Sequence, residues 1–556
     1  MKKRSVALVA LISSMAVLLC GCALPTLLMT LVSTMDSARH TGQENVPGMV
    51  NEYTENEPTE GYVVDEDISF SAAEATGAFP EIFDFNTEEY AAVSENGFKN
   101  VNTDPLSTFS ADVDTASYCN LRRMLNAGYD PADIPSGAIR IEEMLNYFRY
   151  DYRKPEDGKK FGVTAQLSAC PWNANHQLLM LGVRASESPV NPTEGSNLVF
   201  LVDVSGSMAD ENKLPLVQQA LILLVNQLGE NDTVSIVTYA SGEDVLIEGA
   251  HPKKDQAALL SAINSLYASG STDGQRGLAQ AYETAMKYRH PKGNNRVIMC
   301  SDGDLNVGMT SESDLHDYVS NMKETGIYLS VLGFGEGNYK DTKMETLADD
   351  GNGNYYYIDS ILEANKVLCE ELTQSLFTVA DDVKFQVEFN PAKVSAWRQI
   401  GYENRSLGNE AFADDSKDAG EVGEGTSVTV LYEIKPAENA NTAPELRYQT
   451  SALTQEAKGD EWLTLSTRFK EPGEDESRLQ TDIIGQESYA EKPSTDYLFA
   501  AAVAEFGMLL SDSDYKGDSS FESVLELLKE SSLSDPYREE FFSLVKIAQR
   551  NSALSH

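Results

Sequence analysis

Asp203, Ser205 and Ser207 stand on alternate residues of the segment Asp-Val-Ser-Gly-Ser-Met, which follows five apolar residues, 198–202. In an extended turn this spacing can point a carboxylate and two hydroxyls to one side. Oxygen donors of this kind suit a hard divalent cation, Mg²⁺ or Mn²⁺. A cation held by loops needs donors from more than one of them, and two further stretches offer oxygens. Thr272, in Ser-Gly-Ser-Thr-Asp-Gly, lies just before a helical pattern, where its hydroxyl serves an ion or caps the helix. Asp302, in Cys-Ser-Asp-Gly-Asp, comes directly after another apolar run. The plain alternative for Asp203 and its serines is a helix-capping turn. For Asp273 and Asp304 it is a solvated loop acid.

Such loops need strands and helices to hold them. Between about 197 and 377 the two alternate, with strands at 198–202, 233–239, 244–247, 296–300, 327–334 and 354–358. Helical patterns fall between them at 213–228, 256–266, 274–288 and 312–323, and another closes the unit at 361–376. This order predicts an α/β class, a doubly wound and mostly parallel sheet covered on both faces. Sites in such sheets sit at the carboxyl ends of strands, where Asp203 and Asp302 both fall.

On the amino-terminal side, 105–190 reads as a small α+β segment: a strand at 109–113, helices at 116–125 and 139–150, strands at 161–167 and 178–183. On the other side, 378–480 reads as β-sandwich-like, with strands at 383–389, 396–401, 428–434, 446–450 and 462–469. A helical segment, 481–556, follows, with amphipathic stretches at 495–510, 521–529 and 536–548. The strands on either side of the α/β unit, 191–377, can pair into one β-domain that carries it as an insert.

At 556 residues several domains are expected. The net charge of −44 argues against nucleic acid as a partner, because phosphate binding depends on basic patches. The first residues, Met-Lys-Lys-Arg, form a basic end, and 5–19 is an apolar stretch, as in a secretory signal. It ends in Leu-Cys-Gly-Cys, which resembles the bacterial lipobox, with Cys22 as the lipid attachment and 1–22 as the signal peptide. Cys20 fits less well, since bulky Leu19 precedes it. The apolar stretch continues past Cys22 to Met35, so an uncleaved N-terminal membrane anchor is the alternative. Both place the body outside the cytoplasmic membrane. The segment 23–104 is acidic and poor in periodic apolar positions, and reads as a tether.

Taken together, Asp203-x-Ser205-x-Ser207, Thr272 and Asp302, in order on alternating strands and helices, resemble the metal-ion-dependent adhesion site of von Willebrand factor type A domains. The flanks Pro105-Leu-Ser-Thr-Phe-Ser, Glu142-Glu-Met-Leu-Asn-Tyr-Phe and Val387-Glu-Phe-Asn-Pro-Ala-Lys extend the likeness. They resemble bacterial surface lipoproteins that carry such a domain between two family-specific segments. The resemblance implies that Ser205 and Ser207 bind the ion directly and Thr272 directly or through water. Asp203 and Asp302 act through water or hydrogen bonds. It also implies an open coordination position for an Asp or Glu carboxylate of a partner protein. The alternative is an envelope scaffold or assembly factor that docks membrane proteins, its metal mainly structural.

Catalysis finds no motif to rest on. None of the six histidines falls in a catalytic pattern, and no G-x-S-x-G elbow, P-loop or dinucleotide fingerprint occurs. Asp112-Val-Asp-Thr resembles a phosphatase loop with its threonine one place early, and reads as a turn. The run 413–420 resembles a calcium loop, but Ala419 stands where its sixth-position glycine would and Gly425 where its twelfth-position glutamate would, so it reads as an acidic loop. Cys119, Cys170, Cys300 and Cys369 are too scattered for a zinc ribbon. A non-enzymatic binding module is therefore expected.

Overall fold

The computed structural model describes residues 94–554, apart from 112–113, 188–194, 241, 271–273, 304–311, 336–340, 372–377, 416, 418, 438–452, 473 and 534. Cys22 and the expected strand at 446–450 lie outside them.

The chain opens with β1 (Lys99–Asn100), β2 (Leu106–Ser110), α1 (Ala116–Asn126) and α2 (Ile141–Asn146). A long hairpin follows, β3 (Phe161–Ala169) and β4 (Gln177–Ala185). The α/β unit then runs through β5 (Ser196–Asp203), α3 (Leu214–Gln227), β6 (Thr233–Tyr239), β7 (Glu243–Ala250), α4 (Gln256–Asn264) and α5 (Gly274–Lys287). It continues with β8 (Asn294–Ser301), α6 (Glu312–Lys323), β9 (Tyr328–Phe334), α7 (Asp341–Asp350), β10 (Tyr355–Ile358) and α8 (Ile361–Asn365). Antiparallel sheet resumes with β11 (Thr378–Phe389), β12 (Val394–Ile400), β13 (Val422–Gly423), β14 (Ser427–Pro436), β15 (Glu461–Lys470) and β16 (Ser477–Gly485). Helices α9 (Thr495–Leu510), α10 (Phe521–Glu530) and α11 (Pro536–Leu554) complete the described chain.

The unit's six strands form one sheet in the order β10-β9-β8-β5-β6-β7, parallel except for β6–β7. This is the doubly wound arrangement the alternation predicts. Central strands β5 and β8 are buried at every residue, which is why they read as apolar runs. Leu198, Phe200 and Val202 of β5 face the core under α3 and α4, while Val199 and Leu201 face the core under α5, α6 and α7. That second core also contains Tyr118, Phe148, Phe499 and Phe541, so the flanking helices share it.

The strands before and after the α/β unit pair with one another. β4 lies on β14, with Leu181 opposite Val430, and β2 lies on β11, with Phe109 opposite Phe385. Two antiparallel sheets result, β1-β12-β14-β4-β3 and β13-β11-β15-β16 with β2 added on β11. Phe389, Trp397 and Tyr432 fill the core between them, and the rings of Phe389 and Trp397 stack at 5.1 Å. The α/β unit is thus inserted into one β-domain, and both of its ends are held by sheet.

Some boundaries differ from those expected. Residues 94–104, read as the end of a tether, belong to the β-domain: β1 pairs with β12, Asn96 Nδ2 donates to the Gly401 carbonyl at 3.0 Å, and Val101 is buried. β16 crosses the limit placed at 480. The helix expected at 139–150 is confined to α2, and that expected at 361–376 is α8 followed by a π-helical stretch, Lys366–Glu371. Among the described residues no helix is long and apolar enough to cross a membrane.

Candidate metal site at the carboxyl end of the inserted sheet

β5 and β8 are parallel neighbours with Val202 opposite Cys300, so Asp203 and Asp302 leave the sheet side by side. The chain turns sharply after Asp203. The Ser205 backbone N–H donates to Asp203 Oδ1 at 2.8 Å, an Asx-type turn. A short 3₁₀ turn, Gly206–Ala209, follows, and the Ser205 and Ser207 hydroxyl oxygens come to 3.0 Å of each other. Neither serine caps a helix: the 3₁₀ turn has no side-chain cap, and neither has α3. This counts against the capping reading.

Backbone bonds fasten the second loop to the first. The Ser269 N–H donates to the Val204 carbonyl at 2.7 Å, and the Gly206 N–H to that of Gly270 at 3.1 Å. Thr272 itself, with Asp273 and Asp304, lies outside the described residues. The helix that follows, α5, sits directly on the sheet because Gly277 has no side chain; a Cβ there would come within 2.5 Å of Tyr239 Cβ.

Burial grades across the site. Asp203, Ser205 and Asp302 are buried, whereas Ser207 is exposed and marks the open side. Burial pushes the Asp203 carboxyl up to about 6, and the Asp302 charge adds to this, against the bonds from Ser205. Asp203 Oδ2 is buried and, among the described residues, has no hydrogen-bond partner of good geometry, although the Tyr239 phenol lies beside the carboxylate. A poorly satisfied carboxylate oxygen inside a protein is costly, and a cation is one way to satisfy it. That oxygen, beside two converging hydroxyls, fits a hard divalent ion. Asp203, Ser205, Ser207 and Asp302 are the described residues that would hold it, directly or through water. Such an ion supplies Lewis acidity toward an anionic ligand.

Two residues of this site were not singled out in the sequence. Tyr239, opposite Asp203 across β5–β6, is fully buried beside it, and burial followed by the Asp203 charge raises its phenol well above the usual range. Lys213 is buried, with Nζ 3.0 Å from Asp302 Oδ2. Both could have been suspected from position, one at the end of a neighbouring strand and the other ahead of the helix.

A second acidic cluster, Cys119, Asp359 and Glu363, lies elsewhere. Arg122 pairs with both carboxylates, and burial raises the Cys119 thiol well above its usual value. A guanidinium already fills the place of an ion there. Asp114, of the phosphatase-like segment, accepts from Arg405 at 2.9 Å, as a structural acid would.

Comparison with known proteins matches three segments of the chain. Residues 84–180 match the description "von Willebrand factor", 197–369 "von Willebrand factor type A domain", and 374–550 "Uncharacterized protein YfbK, C-terminal". The uncharacterized protein YfbK of Escherichia coli (strain K12) is 39% identical over 512 residues, covering 90% of this chain and 87% of that one. Among solved structures, a von Willebrand factor type A protein from Catenulispora acidiphila aligns over 72% of this chain and 91% of its own. Its identity is 16% and its TM-score 0.38. Proximal thread matrix protein 1 of the mussel byssus, with a zinc-occupied adhesion motif, aligns over 35% of this chain and 48% of its own, at 17% identity and a TM-score of 0.28. The 39% identity to YfbK over most of both chains, together with the YfbK C-terminal and von Willebrand factor type A matches in this chain, means that it belongs to the YfbK-like family of proteins with a von Willebrand factor type A domain.

Proposed function

We propose that the protein is a divalent-metal-dependent, non-enzymatic binding module, anchored outside the cytoplasmic membrane through Cys22 or an N-terminal membrane segment. The carrying observation is the pair of serine hydroxyls at 3.0 Å beside Asp203, whose buried Oδ2 has no partner of good geometry among the described residues, at the carboxyl end of a buried strand. Mg²⁺ or Mn²⁺ is the ion such oxygens favour. The partner is a protein that offers an Asp or Glu carboxylate to the ion's remaining position. Hydroxyls carry no charge, so an ion held by them stays electrophilic toward an anionic group.

The test is capture from the protein's own cell envelope by the full chain. Bound partner is expected in Mg²⁺ and is expected to disappear in chelator; equal recovery in both would sink the proposal. Tyr267 is 74% exposed and stands two residues before Ser269, which makes it the aromatic residue proposed as an anchor for the partner. Tyr267→Ala is expected to weaken capture by about tenfold while Mn²⁺ affinity stays as it was. Calorimetry and the same capture assay separate the two effects.

A further inference from the structure

Lysine ahead of a helix is ordinarily solvated, because burial desolvates its charge and costs side-chain freedom. Lys213 is 6% exposed. Its Nζ lies 3.0 Å from Asp302 Oδ2 and 3.0 Å from the Ser207 carbonyl oxygen, so one ammonium ties the first and third loops of the site together. Asp210, mostly exposed, is a looser partner at 3.9 Å.

The slot for this side chain is built from a distant part of the sheet. Gly335, just beyond β9, has φ +83°, and a Cβ there would lie 2.3 Å from Lys213 Cε and 2.6 Å from its Cγ. The Gly335 carbonyl accepts from the Tyr357 hydroxyl at 2.6 Å, which fixes the wall of the slot. A glycine in a left-handed conformation, pinned by a buried tyrosine, is what lets the aliphatic stem pass.

We infer that Lys213 is the resident cation of the metal site, holding its loops together without metal and setting a net positive charge on the loaded site. This rests on the reading of Asp203, Ser205, Ser207 and Asp302 as metal-holding residues. Among the described residues the buried charges of the site are Asp203, Asp302 and Lys213, which together carry one negative charge when the acids are ionised; Asp210 is exposed and screened by water. A divalent ion converts this to one positive charge, which a single carboxylate neutralises. Without Lys213 the loaded site would be neutral and would hold its ion more tightly, with less attraction for an anion. Lys213 thus trades metal affinity for partner affinity. It is a positioning residue, since it acts through Asp302 and through charge.

The experiment uses the full chain, with Mn²⁺ as the probe and calorimetry and melting as readouts. Lys213→Met is expected to bind Mn²⁺ at least about tenfold more tightly than the native chain and to melt lower in chelator. A lysine with only a structural part would lower melting without tightening Mn²⁺. Mn²⁺ affinity equal to or weaker than native overturns the inference. Should Lys213→Met fail to fold, Gly335→Ala drives the same side chain from its slot. Tighter Mn²⁺ binding is again expected, and unchanged or weaker binding again overturns the role of Lys213. If the native chain takes up no Mn²⁺, the metal reading itself fails, which is a separate outcome from failure of the variant to differ.

Discussion

Replacing Arg122 by methionine is expected to destabilise the protein by about 3–5 kcal/mol, the usual cost of removing one partner from a buried ion network. Arg122 is 2% exposed and sits in α1, yet its partners come from three other parts of the chain. Nε donates to Asp359 Oδ2 at 2.7 Å, Nη2 to Glu363 at 2.9 Å, and Nη1 to Glu540 at 2.7 Å and the Tyr147 hydroxyl at 3.1 Å. Asp359 and Glu363 belong to the end of the inserted unit, and Glu540 to α11. One guanidinium therefore fastens the insert to the helices on both sides of it. Without it, buried Asp359 and Glu363 and half-buried Glu540 lose the cation they share. Burial holds the Asp359 carboxyl above its usual range even with Arg122 beside it, and raises Glu540 too. Losing the cation raises them further, so the folded variant binds more protons than its unfolded chain. Stability then falls as pH rises through the folded-state values, and the deficit of the variant is smaller at pH 5.5 than at pH 7.5. Urea unfolding at the two pH values checks this. An equal deficit at both would mean that lost packing, and not stranded charge, is the cost.

What could be read from the sequence and what could not follow a physical rule. β5 and β8 announced themselves because both faces of each are covered, and the donors after them followed because oxygen-bearing residues at a spacing of two have few other uses. Lys213 was hidden because its environment depends on Gly335, far along the chain, and a lysine before a helix looks solvated by default. The stretch 94–104 is polar enough to pass as tether. Its order comes from a partner strand, where Lys99 Nζ lies 5.0 Å from the centre of the Trp397 ring. β16 was missed because its pattern is inverted: Leu479 and Ile483 are exposed, while Gln480 and Asp482 are half-buried and bind Phe161 and Lys159 across the sandwich. The joining of β4 to β14 was legible only as an expectation from the order of segments, since no local signal fixes a pairing across an inserted domain.

Ser205→Ala combined with Ser207→Ala is expected to abolish metal-dependent capture while leaving the fold intact. The fold survives because the bonds that shape the loop are made by other groups. Asp203 accepts from the Ser205 backbone, Val204 from that of Ser269, and Gly270 from that of Gly206. Ser207 is exposed, so its hydroxyl can be lost at little cost. Ser205 is buried and its hydroxyl bonds Asp203, so stability in chelator should stay within about 1.5 kcal/mol of native, the usual worth of one hydrogen bond. Metal affinity behaves otherwise. Two of the described oxygens go at once, and residues that merely support ligands already cost about 10–100-fold when removed, so a loss beyond roughly 100-fold is expected. Capture in Mg²⁺ should fall to the level the native chain shows in chelator. The informative contrary result is a variant that no longer binds Mn²⁺ yet still captures its partner. The metal would then serve only to order the loops, and the protein would be a docking scaffold whose contact surface lies away from Ser207.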